Sequence, residues 1–378
     1  MAVAAVVVIV MVHVTCSDQS RDKESPQEEW KEIDTKKALL RETRVDGMLL
    51  LSLGFTPDGK YICVSSSKHF DRGGLEFYNP ANLEMECRIP AICGDLLEMS
   101  RDSRYVAVGQ MNSVWIVDVA SKKIVRELNP IAVGFHKVEY PSALAISPDG
   151  KLVALSGMRP SVHPDYTIRH MMAVWDTQSG ELVEKIDFDG EQHLGISMGG
   201  LAFSPDGTML AGGLASGGAV VIWDSSDFHV LKELSYRDQE WQTPRMGLRP
   251  RWIGNGTGLV VRGDNIQPRK GKKIDYPIDI WDFDKGTLVS RTPSPVSGRE
   301  AISPDNRYIA CCSGGYGTTH ILSMTTGKRL GCILYHVYDG VDRAFSPDGK
   351  LLVSGEEGAG SLCVWDWQEI LRQLGEAK

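Results

Sequence analysis

The sequence predicts an all-β chain: a seven-bladed β-propeller of four-stranded antiparallel blades, closed by an N-terminal strand that joins the last blade. Three observations predict it. A turn of the form Phe203-Ser204-Pro205-Asp206-Gly207 is present in seven copies, a Trp-Asp pair such as Trp223-Asp224 follows it, and short apolar strand patterns fill the intervals. A supersecondary unit repeated at a fixed period outranks any reading by length alone, because one such unit cannot bury its own apolar face.

Within one unit the residues dictate the elements. Leu201 and Phe203 alternate with small or polar residues as on a strand with one buried face, and Pro205-Asp206-Gly207 then makes a turn. Pro fixes φ, Asp bonds back to the backbone and Gly tolerates positive φ. Met209 to Gly213 reads as a second strand whose Ala211-Gly212-Gly213 leaves room for a neighbouring backbone, and Ala219 to Trp223 as a third, apolar one. Beyond the turn Asp224 to Asp227, Leu231 to Leu234 is a fourth strand. Four strands in that order make a propeller blade.

The turn recurs as Phe55-Thr56-Pro57-Asp58-Gly59, Met99-Ser100-Arg101-Asp102-Ser103, Ile146-Ser147-Pro148-Asp149-Gly150, Ile302-Ser303-Pro304-Asp305-Asn306 and Phe345-Ser346-Pro347-Asp348-Gly349. Trp252-Ile253-Gly254-Asn255-Gly256 is a degenerate copy. Trp175-Asp176, Trp223-Asp224, Trp281-Asp282 and Trp365-Asp366 are intact, while Phe77-Tyr78, Val117-Asp118 and Leu322-Ser323 stand in the equivalent place. Positions 77, 117, 175, 223, 281, 322 and 365 are separated by 40, 58, 48, 58, 41 and 43 residues. From about Lys36 to Asp366 the chain resembles the WD-repeat family, in the bacterial style that pairs F-S-P-D-G-K with V-W-D. The resemblance implies a propeller that acts as a scaffold. The Gly-His dipeptide that opens a repeat in that family is absent, so some blades are expected to rest mainly on apolar packing rather than on a buried His-to-Asp network.

In chain order, residues 1–16 read as an export signal, 17–34 as a polar linker and 35–378 as one propeller. Residues 2–12 are almost wholly apolar but too short to span a bilayer, which needs roughly 20 residues. Cleavage near Cys16 comes first, lipid attachment at Cys16 second and a retained tail third, so the chain is expected to be exported, with a cytoplasmic location the alternative and membrane association only through a lipid on Cys16. The segment Thr35 to Glu42 resembles the outer strand that follows a Trp-Asp turn, yet no blade precedes it; its place is the outermost strand of the last blade. After Trp365-Asp366, the residues Ile370, Leu371 and Leu374 share one helical face, which predicts a short helix over Trp367 to Leu374. The eight cysteines have no paired C-x-x-C spacing and read as buried thiols, with a Cys87–Cys93 bridge the weaker alternative. A net charge of −8 argues against nucleic-acid phosphate as the main partner.

Two repeats run to 58 residues, and their surplus lies between blades and between second and third strands, two sets of loops that leave a propeller on the same face. That rim is the candidate partner-binding surface. It carries His136, Tyr140, His163, Tyr166, Trp241 and Arg245. It continues with Arg251, Arg269, Tyr276, Tyr335 and His336, joined by Phe135, Lys272 and Tyr338. Other motifs point elsewhere only weakly. Gly195-Ile196-Ser197-Met198-Gly199 has nucleophile-elbow spacing but runs into a strand rather than a helix. His163, Asp165 and His170 match no compact metal signature. The expectation is therefore a non-enzymatic scaffold for a protein or peptide, without catalytic residues, metal or cofactor; the alternative is a small-ligand-binding protein or metal-dependent enzyme using the central funnel.

Overall fold

The computed structural model describes residues 31–45, 49–67, 73–110, 112–136, 141–159, 169–188, 198–214, 218–236, 245–265, 277–292, 300–312, 317–336, 340–356, 358 and 360–377. Seven sheets follow one another around a ring, each with a four-stranded antiparallel blade; six blades take their strands in chain order, and one sheet gains a fifth strand. Blade 1 runs Leu49–Phe55, Ile62–Ser67, Gly73–Tyr78, Met85–Pro90; blade 2, Leu96–Met99, Tyr105–Gln110, Ser113–Asp118, Lys123–Leu128; blade 3, Ala143–Ile146, Leu152–Arg159, Arg169–Asp176, Leu182–Asp187. Blade 4 runs Met198–Phe203, Met209–Leu214, Ala219–Asp224, Val230–Ser235; blade 5, Arg245–Ile253, Gly258–Asn265, Ile278–Asp282, Thr287–Thr292; blade 6, Glu300–Ile302, Tyr308–Cys312, Thr318–Ser323, Arg329–Leu334. Blade 7 takes Gly340–Phe345, Leu351–Glu356 and Ser361–Asp366 from the C-terminal repeat and Leu39–Arg44 as its outer strand. Each end of the chain thus covers a sheet edge that the other would leave open.

The N-terminal tie starts earlier than residue 35. Lys31–Glu32 pairs in parallel with the outer strand of blade 6, and Ile33 is buried behind it. The C-terminal helix spans Trp367–Leu374 and buries Trp367, Ile370, Leu371 and Leu374 in a cluster shared with Tyr308, Phe345 and Trp365, so it seals the seam of blades 6 and 7. No described helix is long and apolar enough to cross a membrane.

The repeated turn works as its residues dictate. Ser204 Oγ donates to Asp206 Oδ1 at 2.6 Å and accepts from Met209 N at 2.9 Å, while Gly207 takes φ +77°. The same Ser or Thr to Asp bond recurs at Thr56, Ser100, Ser147, Ser303 and Ser346. The degenerate copy in blade 5 is instead a 3-10 turn at Gly254–Gly256. The aspartate of the Trp-Asp pair closes the second turn in kind: Asp176 Oδ1 accepts from Gln178 N and Ser179 N, and Asp224 Oδ1 from Ser226 N. Asp366 does the same with Gln368 N and Glu369 N, and there the acceptor caps a helix.

Between each pair of neighbouring blades lies one apolar cluster, seven in all among the described residues. Blades 4 and 5 bring backbone against backbone: a Cβ on Gly213 would stand 2.0 Å from the Leu248 carbonyl oxygen. Six of the seven described cysteines are buried, all seven are free thiols, and Cys87 and Cys93 are not bridged.

Candidate functional site

The innermost strands line an axial channel. Side chains two apart on a strand share a face, so Arg249 and Arg251 of blade 5 both enter it, along with Glu98 of blade 2, Glu300 of blade 6 and Asp342 of blade 7. An innermost strand is an edge strand toward the channel, which is why Pro250 between the two arginines is accommodated. Arg251 Nη2 reaches Glu98 Oε1 at 3.4 Å, joining blade 5 to blade 2, and Nη1 donates to the Leu201 carbonyl at 3.3 Å. Glu98 above all, then Glu300 and Asp342, holds this guanidinium more firmly protonated than a free one. Asp342 is itself fixed by the Ser52 hydroxyl at 2.8 Å.

Glu98, Leu201, Arg251 and Glu300 wall two cavities at once: one of about 150 Å³ toward the loop face, and a funnel of about 530 Å³ toward the Ser-Pro-Asp-Gly turns. The Arg251–Glu98 pair is therefore a bar across the channel. Among the described residues, no group of three or more His, Cys, Asp or Glu is placed to hold a metal ion. His170 is buried with its Nδ1 unpartnered, and His163 and Asp165 lie outside the described residues. Gly199 sits inside the strand Met198–Phe203, packed so tightly that a Cβ would be 2.2 Å from the Gly247 carbonyl carbon; Ser197 lies outside the described residues.

The rim candidates divide three ways. Tyr140, His163, Tyr166, Trp241, Arg269 and Tyr276, with Lys272 and Tyr338, lie outside the described residues. Arg245 opens the innermost strand of blade 5, and His136 is half-buried with its backbone N–H on the Met158 carbonyl at 2.8 Å. The others are not rim residues. Arg251 is in the channel, because the stretch read as a between-blade loop becomes strand from Arg245 onward. Phe135 is buried in a stack on Trp175, and Tyr335 packs edge-on against Trp365 with its hydroxyl on Glu42 Oε2 at 2.8 Å; burial, together with that carboxylate, raises the phenol to about 12.

His336 is 7 % exposed and belongs to a buried hydrogen-bond chain. Trp365 Nε1–H donates to Ser354 Oγ at 2.8 Å, that oxygen lies 2.7 Å from His336 Nε2, and Nδ1 faces Glu356 Oε2 at 3.5 Å. Burial, reinforced by Arg343, pushes this imidazole down to about 4. One blade thus carries a buried His-to-Trp network, with no aspartate in it. The model of the WD domain, G-beta repeat family matches residues 191–224 and 329–366, and the second match contains this whole network. The chain is a seven-bladed propeller that carries WD-repeat matches at two sites. No curated protein matches its sequence significantly. WD-repeat propellers are typically protein-interaction scaffolds.

The tryptophans of the third strands explain where Phe135 and Tyr335 go. Each intact tryptophan receives an aromatic ring from the connection leading into its blade: Phe135 on Trp175, Phe188 on Trp223, Tyr236 on Trp281 and Tyr335 on Trp365. Tyr236 also accepts the Trp281 indole N–H at 2.9 Å. Three of the four aromatics directly follow the preceding outer strand, a signal present in the sequence.

Proposed function

We propose that this WD-repeat propeller is a non-enzymatic platform that binds a protein or peptide partner on its loop-bearing face. The observation that supports the reading is unequal strand length. In blade 3 the second and third strands are eight residues each, and in blade 5 the first two are nine and eight, against six for the central strands of blade 4 between them. The additional pairs, Met158↔His170 and Arg159↔Arg169 in blade 3 and Arg245↔Asn265 and Met246↔Asp264 in blade 5, all lie at the loop end. At about 3.4 Å per residue they raise the middle strand pair of blade 3 and the first two strands of blade 5 roughly 7 Å above blade 4. A partner laid over blade 4 would meet two raised walls on a scaffold already rigid, so little ordering entropy opposes binding.

The test is affinity capture from the native host with wild type, a loop-face variant (Trp241→Ala with Arg269→Glu) and a turn-face variant (Lys285→Glu), all checked for fold by circular dichroism. A partner retained by the turn-face variant and lost by the loop-face variant supports the platform. Equal retention by both refutes the assignment of this face.

A further inference from the structure

The loop-side cavity contains two charged groups that the fold leaves over. Asp95, Glu98, Glu300 and Asp342 line it with Arg249 and Arg251. Two further guanidiniums stand close behind: Arg262, whose Nη1 is 3.6 Å from Glu300 Oε2, and Arg343, whose Nη1 donates to the Asp342 carbonyl at 2.7 Å. Four carboxylates thus face four cations. Glu98 is taken by Arg251, Asp342 by Ser52 and the Leu53 N–H, and Arg343 by Thr319, the Asp342 carbonyl and the Gly355 carbonyl.

Asp95 and Arg262 each have a further partner of their own. Glu300, with only the long contact to Arg262, and Arg249 remain. The Glu300 side chain is 4 % exposed, its nearest cation stands beyond hydrogen-bond reach, and Oε2 accepts no hydrogen bond. Leaving a buried carboxylate oxygen without a donor is costly. Arg249, half-buried on the neighbouring innermost strand, makes no hydrogen bond or ion pair with a described residue and lines the same cavity. Glu300 presents a carboxylate and Arg249 a guanidinium to the same cavity, and with Arg262 and Arg343 behind its wall the four carboxylates meet four cations, so it suits neither a lone anion nor a lone cation: each would satisfy one wall and be repelled by the other.

We infer that this cavity binds a small zwitterion of the α-amino-acid class, with the ammonium on Glu300 and the carboxylate on Arg249. The volume of about 150 Å³ matches a cavity that admits benzene, which limits the ligand to about six to eight heavy atoms. That is the range of alanine, serine and proline. Entry is from the loop face, since the Arg251–Glu98 bar closes the other side.

Isothermal titration calorimetry of the full chain with L-alanine, L-serine and L-proline tests it, with acetate, methylammonium and betaine as controls; betaine has the charges but no N–H to give Glu300. The expected result is binding of at least one amino acid, weakened roughly tenfold or more by Arg249→Gln and by Glu300→Gln. Arg249→Lys should retain it, and the controls should bind more weakly. No heat from any of the three at about 10 mM overturns the inference. So does unchanged affinity in Arg249→Gln, a variant of a half-buried side chain that does not depend on Glu300→Gln folding. Acetate binding as tightly as the amino acids would make this an anion site and overturn it too.

Discussion

Three histidines make the propeller acid-labile, and the effect can be worked out from their surroundings. His170, His320 and His336 are 3, 6 and 7 % exposed, and each imidazole is held down to about 4. Burial is the main cause in all three; Arg329 and Arg343 add to it at His320, and Arg343 at His336, where Glu356 opposes it only in part. The unfolded chain takes up a proton at each histidine near pH 6.5, whereas the folded chain refuses it until about pH 4. Between those values the unfolded state binds more protons, so stability is complete above pH 6.5 and falls as the pH drops toward 4. Each pH step of one in that window costs about 1.4 kcal/mol per histidine, so at pH 5 each removes about 2 kcal/mol and the three together about 6 kcal/mol. That is a large part of a typical stability of about 5–15 kcal/mol. The turn carboxylates do not confuse this window, since Asp149, Asp206 and Asp348 are lowered by their turn hydrogen bonds, helped by Lys151 at Asp149 and Lys350 at Asp348, and lose their contribution below it. Urea unfolding followed by tryptophan fluorescence at pH 7.5 and pH 5 measures the effect. His170→Met should leave stability at pH 7.5 nearly unchanged and recover about 2 kcal/mol of the loss at pH 5. Equal stability of wild type at both pH values, or the same loss in His170→Met, would refute the reasoning.

Three further outcomes are expected, each read from urea midpoints. Ser204→Ala removes both the donor to Asp206 and the acceptor for Met209 N, and should cost about 1–2 kcal/mol. Gly207→Ala places a Cβ at φ +77°, and should cost about 1–2 kcal/mol through the left-handed backbone alone. Gly213→Ala drives a Cβ against the Leu248 backbone, which cannot rotate aside, and should cost about 3 kcal/mol or more; a loss below that of Gly207→Ala would mean blades 4 and 5 separate more easily than their packing implies.

The repeat was legible because its chemistry is local. A Ser, a Pro, an Asp and a Gly within five positions specify a turn whatever surrounds them, and the hydrogen bonds at Ser204 and Asp206 are those the residues imply. Closure by Leu39–Arg44 was legible for a related reason: a strand without a blade must find one. The channel was not. Arg251 reads as a loop residue because it ends the surplus counted between blades 4 and 5, whereas the strand already begins at Arg245. Tyr335 and His336 looked exposed because aromatic and basic residues in a connection suggest a binding rim. The packing of Tyr335 and the burial of His336 depend on Trp365 and Ser354, distant in sequence, and no local pattern reports a contact of that kind.

The acidity of the chain also changes meaning once the turns are seen. Asp58, Asp102, Asp149, Asp206, Asp305 and Asp348 accept from the hydroxyl of their own turn. Asp118, Asp176, Asp224, Asp282 and Asp366 accept backbone N–H groups at the other turn or at the helix cap. These carboxylates are demanded by the fold on the face opposite the long loops. The net charge of −8 is therefore in good part a by-product of turn chemistry and carries little information about the sign of a partner on the loop face. There the sequence between Asp264 and Pro277 holds Arg269, Lys270, Lys272 and Lys273 against Asp264 and Asp275, a locally basic stretch on an acidic protein. A partner of the loop face is accordingly better sought among acidic surfaces than the overall charge would suggest, and weakened capture at raised salt is the behaviour that follows.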